Sequence, residues 1–144
     1  MSAGIVIVGG GIAGQAVCEA VRDRDREVAI TLVCGEPSAP YDRVRLSEIL
    51  VSGEDPQTLQ LRPAEWYADH DVELLVGRTV TWVDTERGVL GLDDLEERDY
   101  GQLVLATGSQ PLMPPIPGID LAGVHPFRGP EDCEAIRRAA AGGA

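Results

Sequence analysis

Lysine is absent from this chain: all twelve of its cationic residues are arginine, and 24 acidic residues leave a formal charge of -12. So acidic a surface excludes nucleic acid and anionic membrane as partners, because neither polyanion is drawn to it. The missing lysine itself reads as genome composition, not as function. Cysteine is scarce too. Cys18, Cys34 and Cys133 are an odd number without paired spacing, which excludes a disulfide framework and a zinc site and predicts free thiols in a reducing compartment. The two histidines, His70 and His125, stand isolated, so no metal centre is predicted and both are expected on loops or at the surface. No apolar run approaches a membrane span. The amino-terminal apolar stretch lacks a basic leader and is soon broken by glycine, which argues against a signal peptide. With no internal repeat, 144 residues and 44% apolar content, the expectation is one globular domain with a proper core, in the cytoplasm.

What is present is concentrated at the start. Ile5-Val6-Ile7-Val8 is a β-branched run of the kind buried on both faces of a sheet. It leads directly into Gly9-x-Gly11-x-x-Gly14, and from Ile12 to Val21 apolar residues recur at helical spacing. Glycine spacing alone is a weak signal. Between a strand and a helix it becomes the dinucleotide fingerprint. Gly9 permits the tight turn, Gly11 lets a pyrophosphate approach the backbone, and Gly14 lets helix and strand pack closely. The helix N-terminus then supplies N–H groups and a positive dipole end for the diphosphate.

The charged run Arg22 to Glu27 closes that helix, and Ala29 to Val33 reads as a second strand completing a βαβ unit. The fingerprint wants an acid near the end of this strand for ribose hydroxyls; Glu36 is the candidate, weighed against a solvated loop carboxylate. A helix is predicted over Tyr41 to Leu50 with Asp42 as cap, and a short one over Glu65 to Asp69, where Trp66 and Tyr67 are packing residues. Val72 to Val76 reads as a strand. Thr79 to Asp84 and Val89 to Leu92, joined by the turn Thr85 to Gly88, read as a hairpin. Leu103 to Ala106 is a further strand. Pro111, Pro114, Pro115 and Pro117 exclude regular structure from the segment that follows, and Pro130 to Ala140 is a final helix with proline in its first turn.

Three stretches, VIVGGGIAG, APYDRVRLS and LVLATGSQPLMPPIPG, together resemble the FAD domain of the pyridine nucleotide-disulfide oxidoreductase superfamily. Within it the chain is most similar to the amino-terminal segment of the large subunit of NAD(P)H-dependent nitrite reductase, through Tyr41-Asp42-Arg43-Val44 and Leu46-Ser47. Ferredoxin and rubredoxin reductases are similar over the same region. The resemblance implies that Gly9, Gly11, Ile12, Ala13 and Gly14 line the FAD diphosphate. Glu36 would approach the adenosine ribose, although relatives often carry the acid one position earlier, where this chain has Gly35. Arg43 and Ser47 would reach toward the diphosphate and flavin, and Val80 would present its backbone to the adenine. Ala106, Thr107 and Gly108 would close over the cofactor, and Arg128, four residues before Asp132, matches an FAD-contacting arginine.

Two departures bear on the subfamily. Ferredoxin reductases usually carry lysine after the Leu-Ser pair, where this chain has Glu48. The disulfide reductases carry a cysteine pair on the helix here spanning Arg43 to Leu50; none is present, so thiol–disulfide exchange there is excluded. The expected fold is α/β, a Rossmann-like parallel sheet with a small antiparallel insertion. Residues 1–144 are expected to form the amino-terminal part of an FAD-binding domain. The NAD(P)H domain and the rest of the parent would lie beyond the Ala-Gly-rich end, and the segment alone would be inactive. The parent would pass electrons from NAD(P)H through FAD to an acceptor domain or protein, using siroheme and an iron–sulfur centre if it is a nitrite reductase. The alternatives are a ferredoxin or rubredoxin reductase, a stand-alone nucleotide-binding module without catalysis, and a single-domain NAD enzyme; the hairpin and Ala106-Thr107-Gly108 speak against the last. No catalytic acid, base or nucleophile stands out.

Overall fold

Ile5 and Ile7 point to one side of their strand and Val6 and Val8 to the other, so β1 (Ile5–Val8) must be covered on both faces. The computed structural model, which describes residues 4–142, shows how. In the first of two compact units, residues 1–41 with 60–108, β1 runs parallel between β2 (Ile30–Cys34) and β7 (Gln102–Leu105), and β3 (Val72–Val76) lies parallel outside β2. On one face Ile7, Ile30, Leu32 and Cys34 pack with Cys18 of α1 (Ile12–Arg22) and Tyr67 of α3 (Ala64–Asp69). On the other, Val6, Val8 and Val33 pack against Leu90 and Leu92 of β5 (Val89–Leu92).

β5 is the centre of an antiparallel sheet, between β4 (Val80–Asp84) and β6 (Glu97–Asp99). The hairpin β4–β5 matches the sequence expectation; β6 does not appear in it. Glu97-Arg98-Asp99 has no apolar alternation, and its strand rests on backbone pairing to β5. Arg98 adds ion pairs to Glu73 at 3.0 Å and Glu96 at 2.8 Å. The β2 and β7 bounds each differ by one residue from expectation.

Arg22, the last residue of α1, is only 7% exposed. Its Nη1 donates to the carbonyls of Asp25 and Val28, both at 3.0 Å, and its Nη2 to that of Asp71 at 3.2 Å. The charged run after α1 is therefore tied down at its first residue.

In the second unit, residues 42–59 with 109–144, the helix expected over Tyr41 to Leu50 divides into a 3-10 turn at Arg43–Arg45 and α2 (Leu46–Ser52). Asp42 is the cap, accepting from the Val44 N–H at 3.0 Å, but its carbonyl also accepts from Arg45 at 3.1 Å, and this i→i+3 bond tightens the first turn. α4 (Pro130–Ala141) starts at proline as expected, with the Asp132 carboxylate accepting from the N–H groups of Arg128 and Gly129. It packs on α2: Cys133 Sγ lies 3.6 Å from the Leu46 carbonyl, and Arg137 donates to the carbonyls of Ile49 and Leu50. Between Ser109 and Arg128 there is no helix or strand, as the prolines require. The last two residues of the Ala-Gly-rich end lie outside the described residues.

Two outcomes follow from this packing. Leu32→Ala empties a site with no exposure in the middle of the parallel sheet and is expected to lower stability by about 3 kcal/mol in urea unfolding. Cys18 and Cys34 are buried, and burial pushes both thiols up to about 12; they are expected to resist iodoacetamide at pH 8 in the native chain and to react once urea is added.

Candidate functional site

The carboxyl ends of β1, β2 and β7 lie together, at Val8, Cys34 and Leu105. In chain order the sheet grows from β1 to β2 to β3 on one side and then returns to place β7 on the other side of β1. The β1–β7 boundary is therefore the topological switch point, where open α/β sheets leave a crevice.

The glycine turn crosses this crevice. Gly9 donates to the Val33 carbonyl at 2.8 Å and has a φ of +126°, and a side chain on it would overlap the Ala106 carbonyl. Gly14 is buried against the Gly9 carbonyl, with no room for a methyl group. Gly11 is the opposite case: a Cβ there would meet nothing within 4 Å. One position is thus left vacant while those around it are tight. Gly11 is also the N-cap of α1, where no side chain caps the helix and no acidic residue stands in the first turn. The leading N–H groups of the helix have no intrahelical partner by construction. With the positive end of the dipole behind them they form a site for anionic oxygens. Ile12 and Ala13 lie exposed at its mouth.

Ala106 follows β7 and donates to the Val8 carbonyl at 2.7 Å, which fixes it beside Gly9. Thr107 and Gly108 are exposed, and Gly108 turns the chain with a φ of +70°. At the end of β2, Glu36 is half-buried. Its carbonyl accepts from Gly77 at 2.8 Å, and its carboxylate accepts from the Tyr41 hydroxyl at 2.7 Å. The acid is therefore held in place and is not a swinging loop carboxylate. Because β2 runs one residue further than expected, Glu36 stands two positions beyond the strand, not three. Val80 opens β4 and packs its side chain on the Val6–Val33–Leu92 cluster.

The remaining candidates belong to the second unit. Arg43 lies in the 3-10 turn and donates to the Arg128 carbonyl, so these two arginines meet; Ser47 is exposed in the first turn of α2. Among the described residues no cluster of histidine, cysteine and acids is suited to a metal. His125 is exposed, and His70 stands half-buried in the turn that ends α3, its ring stacked on Trp66 at 4.3 Å and Nδ1 2.7 Å from the Trp66 carbonyl. Sequence reasoning missed Tyr41 as the partner of Glu36. The available signal was an aromatic residue in a loop otherwise rich in proline and charge.

Comparison with known proteins fits this geometry. Residues 3–142 match the family model of pyridine nucleotide-disulphide oxidoreductases. The chain is 38% identical over 133 residues to rhodocoxin reductase of Rhodococcus erythropolis, covering 92% of this chain and 31% of that protein. It is 36% identical over 133 residues to the NAD(P)H nitrite reductase of Bacillus subtilis, covering 92% of this chain and 16% of that one. Among solved structures, the ferredoxin reductase for the CYP199A2 system from Rhodopseudomonas palustris superposes with a TM-score of 0.86 at 33% identity, over 93% of this chain and 33% of that one. The chain thus spans about a third or less of each of these three proteins. With its glycine turn, helix and strand order all in the arrangement described, it belongs to the pyridine nucleotide-disulphide oxidoreductase family.

Proposed function

We propose that this chain is the amino-terminal part of the FAD-binding domain of a longer NAD(P)H-dependent flavoprotein oxidoreductase, of the type found in the large subunit of nitrite reductase. The observation that carries the reading is the vacant position at Gly11, bordered by uncapped helix N–H groups at the switch point of the sheet. A diphosphate needs that combination of space and donors. The residues fit FAD: Gly9, Gly11, Ile12, Ala13 and Gly14 for the diphosphate, and Glu36, oriented by Tyr41, for the adenosine ribose. Val80 would offer its backbone to the adenine, and Ala106, Thr107 and Gly108 would close over the cofactor. Arg43, Ser47 and Arg128 would serve its diphosphate and flavin portions. When bound, FAD supplies the two-electron chemistry, taking hydride from a nicotinamide and passing electrons onward; the chain contributes binding and orientation.

Similarity to the Bacillus nitrite reductase supports the nitrite reductase assignment. So does Glu48, which forms an ion pair with Arg45 at 2.7 Å where ferredoxin reductases usually carry lysine. On this reading a siroheme and an iron–sulfur centre complete the parent. A second reading, a ferredoxin or rubredoxin reductase with a separate acceptor protein, is favoured by the similarity to rhodocoxin reductase. The two part on one assay of the full-length gene product. NAD(P)H-driven consumption of nitrite is the expected result; reduction of a ferredoxin or rubredoxin without nitrite consumption would select the second reading. Gly11→Val in that protein places an isopropyl group where the diphosphate belongs and is expected to abolish flavin retention, measured as the visible absorbance that copurifies. Full flavin occupancy in this variant would refute the site.

A further inference from the structure

Directly after the glycine turn stands a residue that the fingerprint does not require to be polar. Gln15 is 2% exposed, in the first turn of α1. A primary amide so deeply buried is costly unless its groups are bonded, and here they are. The Tyr67 hydroxyl of α3, itself in the core, donates to Gln15 Oε1 at 2.7 Å. Gln15 Nε2 donates to Glu19 Oε1 at 3.0 Å, and the same oxygen accepts from Arg62 Nε at 2.9 Å. The direction of this chain is determined. Burial, with smaller contributions from neighbouring groups, pushes the Tyr67 phenol well above its ordinary range, so it remains a donor. Burial of Glu19 opposes ionisation, but the hydrogen bonds from Gln15 and Arg62 prevail and hold its carboxyl below the usual range. Tyr67 must give and Glu19 must accept, so the amide has one orientation.

That chain grips the cradle at its hinge. The Gln15 N–H closes the first bond of the helix, to the Gly11 carbonyl at 3.0 Å, and Gly14, one residue earlier, is wedged on the Gly9 carbonyl. An apolar side chain would fill the same space and leave α1 free to rotate slightly about its axis; the hydrogen bond to Tyr67 is directional and does not. We propose that Gln15, held by Tyr67, is a positioning residue for the phosphate cradle, setting the rotation of α1 so that its leading N–H groups converge on the diphosphate. The inference rests on the FAD reading above and deepens it.

The test uses the full-length protein, with FAD as the probe, and the variants Gln15→Met, which keeps length and volume, and Tyr67→Phe, which removes one oxygen and keeps the ring. Each is expected to weaken FAD binding about tenfold, with Gln15→Met plus Tyr67→Phe no weaker than either alone, because both break one link. The 31P resonances of the bound diphosphate are expected to move in both variants, and because each leaves one buried polar group without its partner the melting temperature is expected to fall by a few degrees as well. A lowered melting temperature with unchanged affinity and 31P shifts would make the pair merely structural and overturn the inference, as would additive losses. If Gln15→Met does not fold, Tyr67→Phe decides alone. Wild-type protein that takes up no FAD would instead overturn the function proposed above, and this inference with it.

Discussion

The structure depends on a place where three stretches of backbone come closer than side chains allow. Gly9 faces the Ala106 carbonyl and Gly14 rests on the Gly9 carbonyl, with no room for even a methyl group in either case. This double contact seats the first helix against the end of β1 and brings the end of β7 up beside it. Dispersion and hydrogen bonding at such range need bare backbone on both sides. Everything that could act on a ligand, from the helix N-terminus to the Ala106-Thr107-Gly108 segment, takes its place from that seat.

The two faces of the parallel sheet are covered by different means, helices on one and a small antiparallel sheet on the other. Neither covering reaches over Gly11, which remains open. Electrostatics at this opening work on two scales. The chain as a whole carries -12 and repels an anion at long range, whereas the helix end attracts one at contact. At ionic strengths near 0.1 M charges are screened over about 10 Å, so the distributed repulsion fades and the local donors decide. An acidic protein can hold a diphosphate for that reason.

The fold was legible where one interaction dominates. An unbroken run of β-branched residues marked β1, and the glycine spacing marked the turn, because close packing admits no other residue at Gly9 and Gly14. β6 was illegible since a three-residue charged strand, held by backbone pairing and ion pairs, has no apolar pattern to betray it. Tyr41, Gln15 and Tyr67 were illegible for a related reason. The bond between Gln15 and Tyr67 joins residues 52 positions apart, Tyr41 meets Glu36 across a turn of only five residues, and in neither case does anything local distinguish a hydroxyl that finds such a partner from one that faces water. Asp42 could be read as a cap because a cap bonds within its own turn; the 3-10 geometry that follows could not, since i→i+3 and i→i+4 bonding share one sequence pattern over so few residues.

Arg22 gives the exclusive use of arginine a meaning at one position. Two of its nitrogens reach three carbonyls that converge on it from the loop after α1 and from the approach to β3. A guanidinium is a rigid fork that can bridge acceptors lying apart, whereas an ammonium is a single point on a flexible stem. Whatever bias emptied this chain of lysine, that substitution was closed at residue 22 by the geometry of the carbonyls alone.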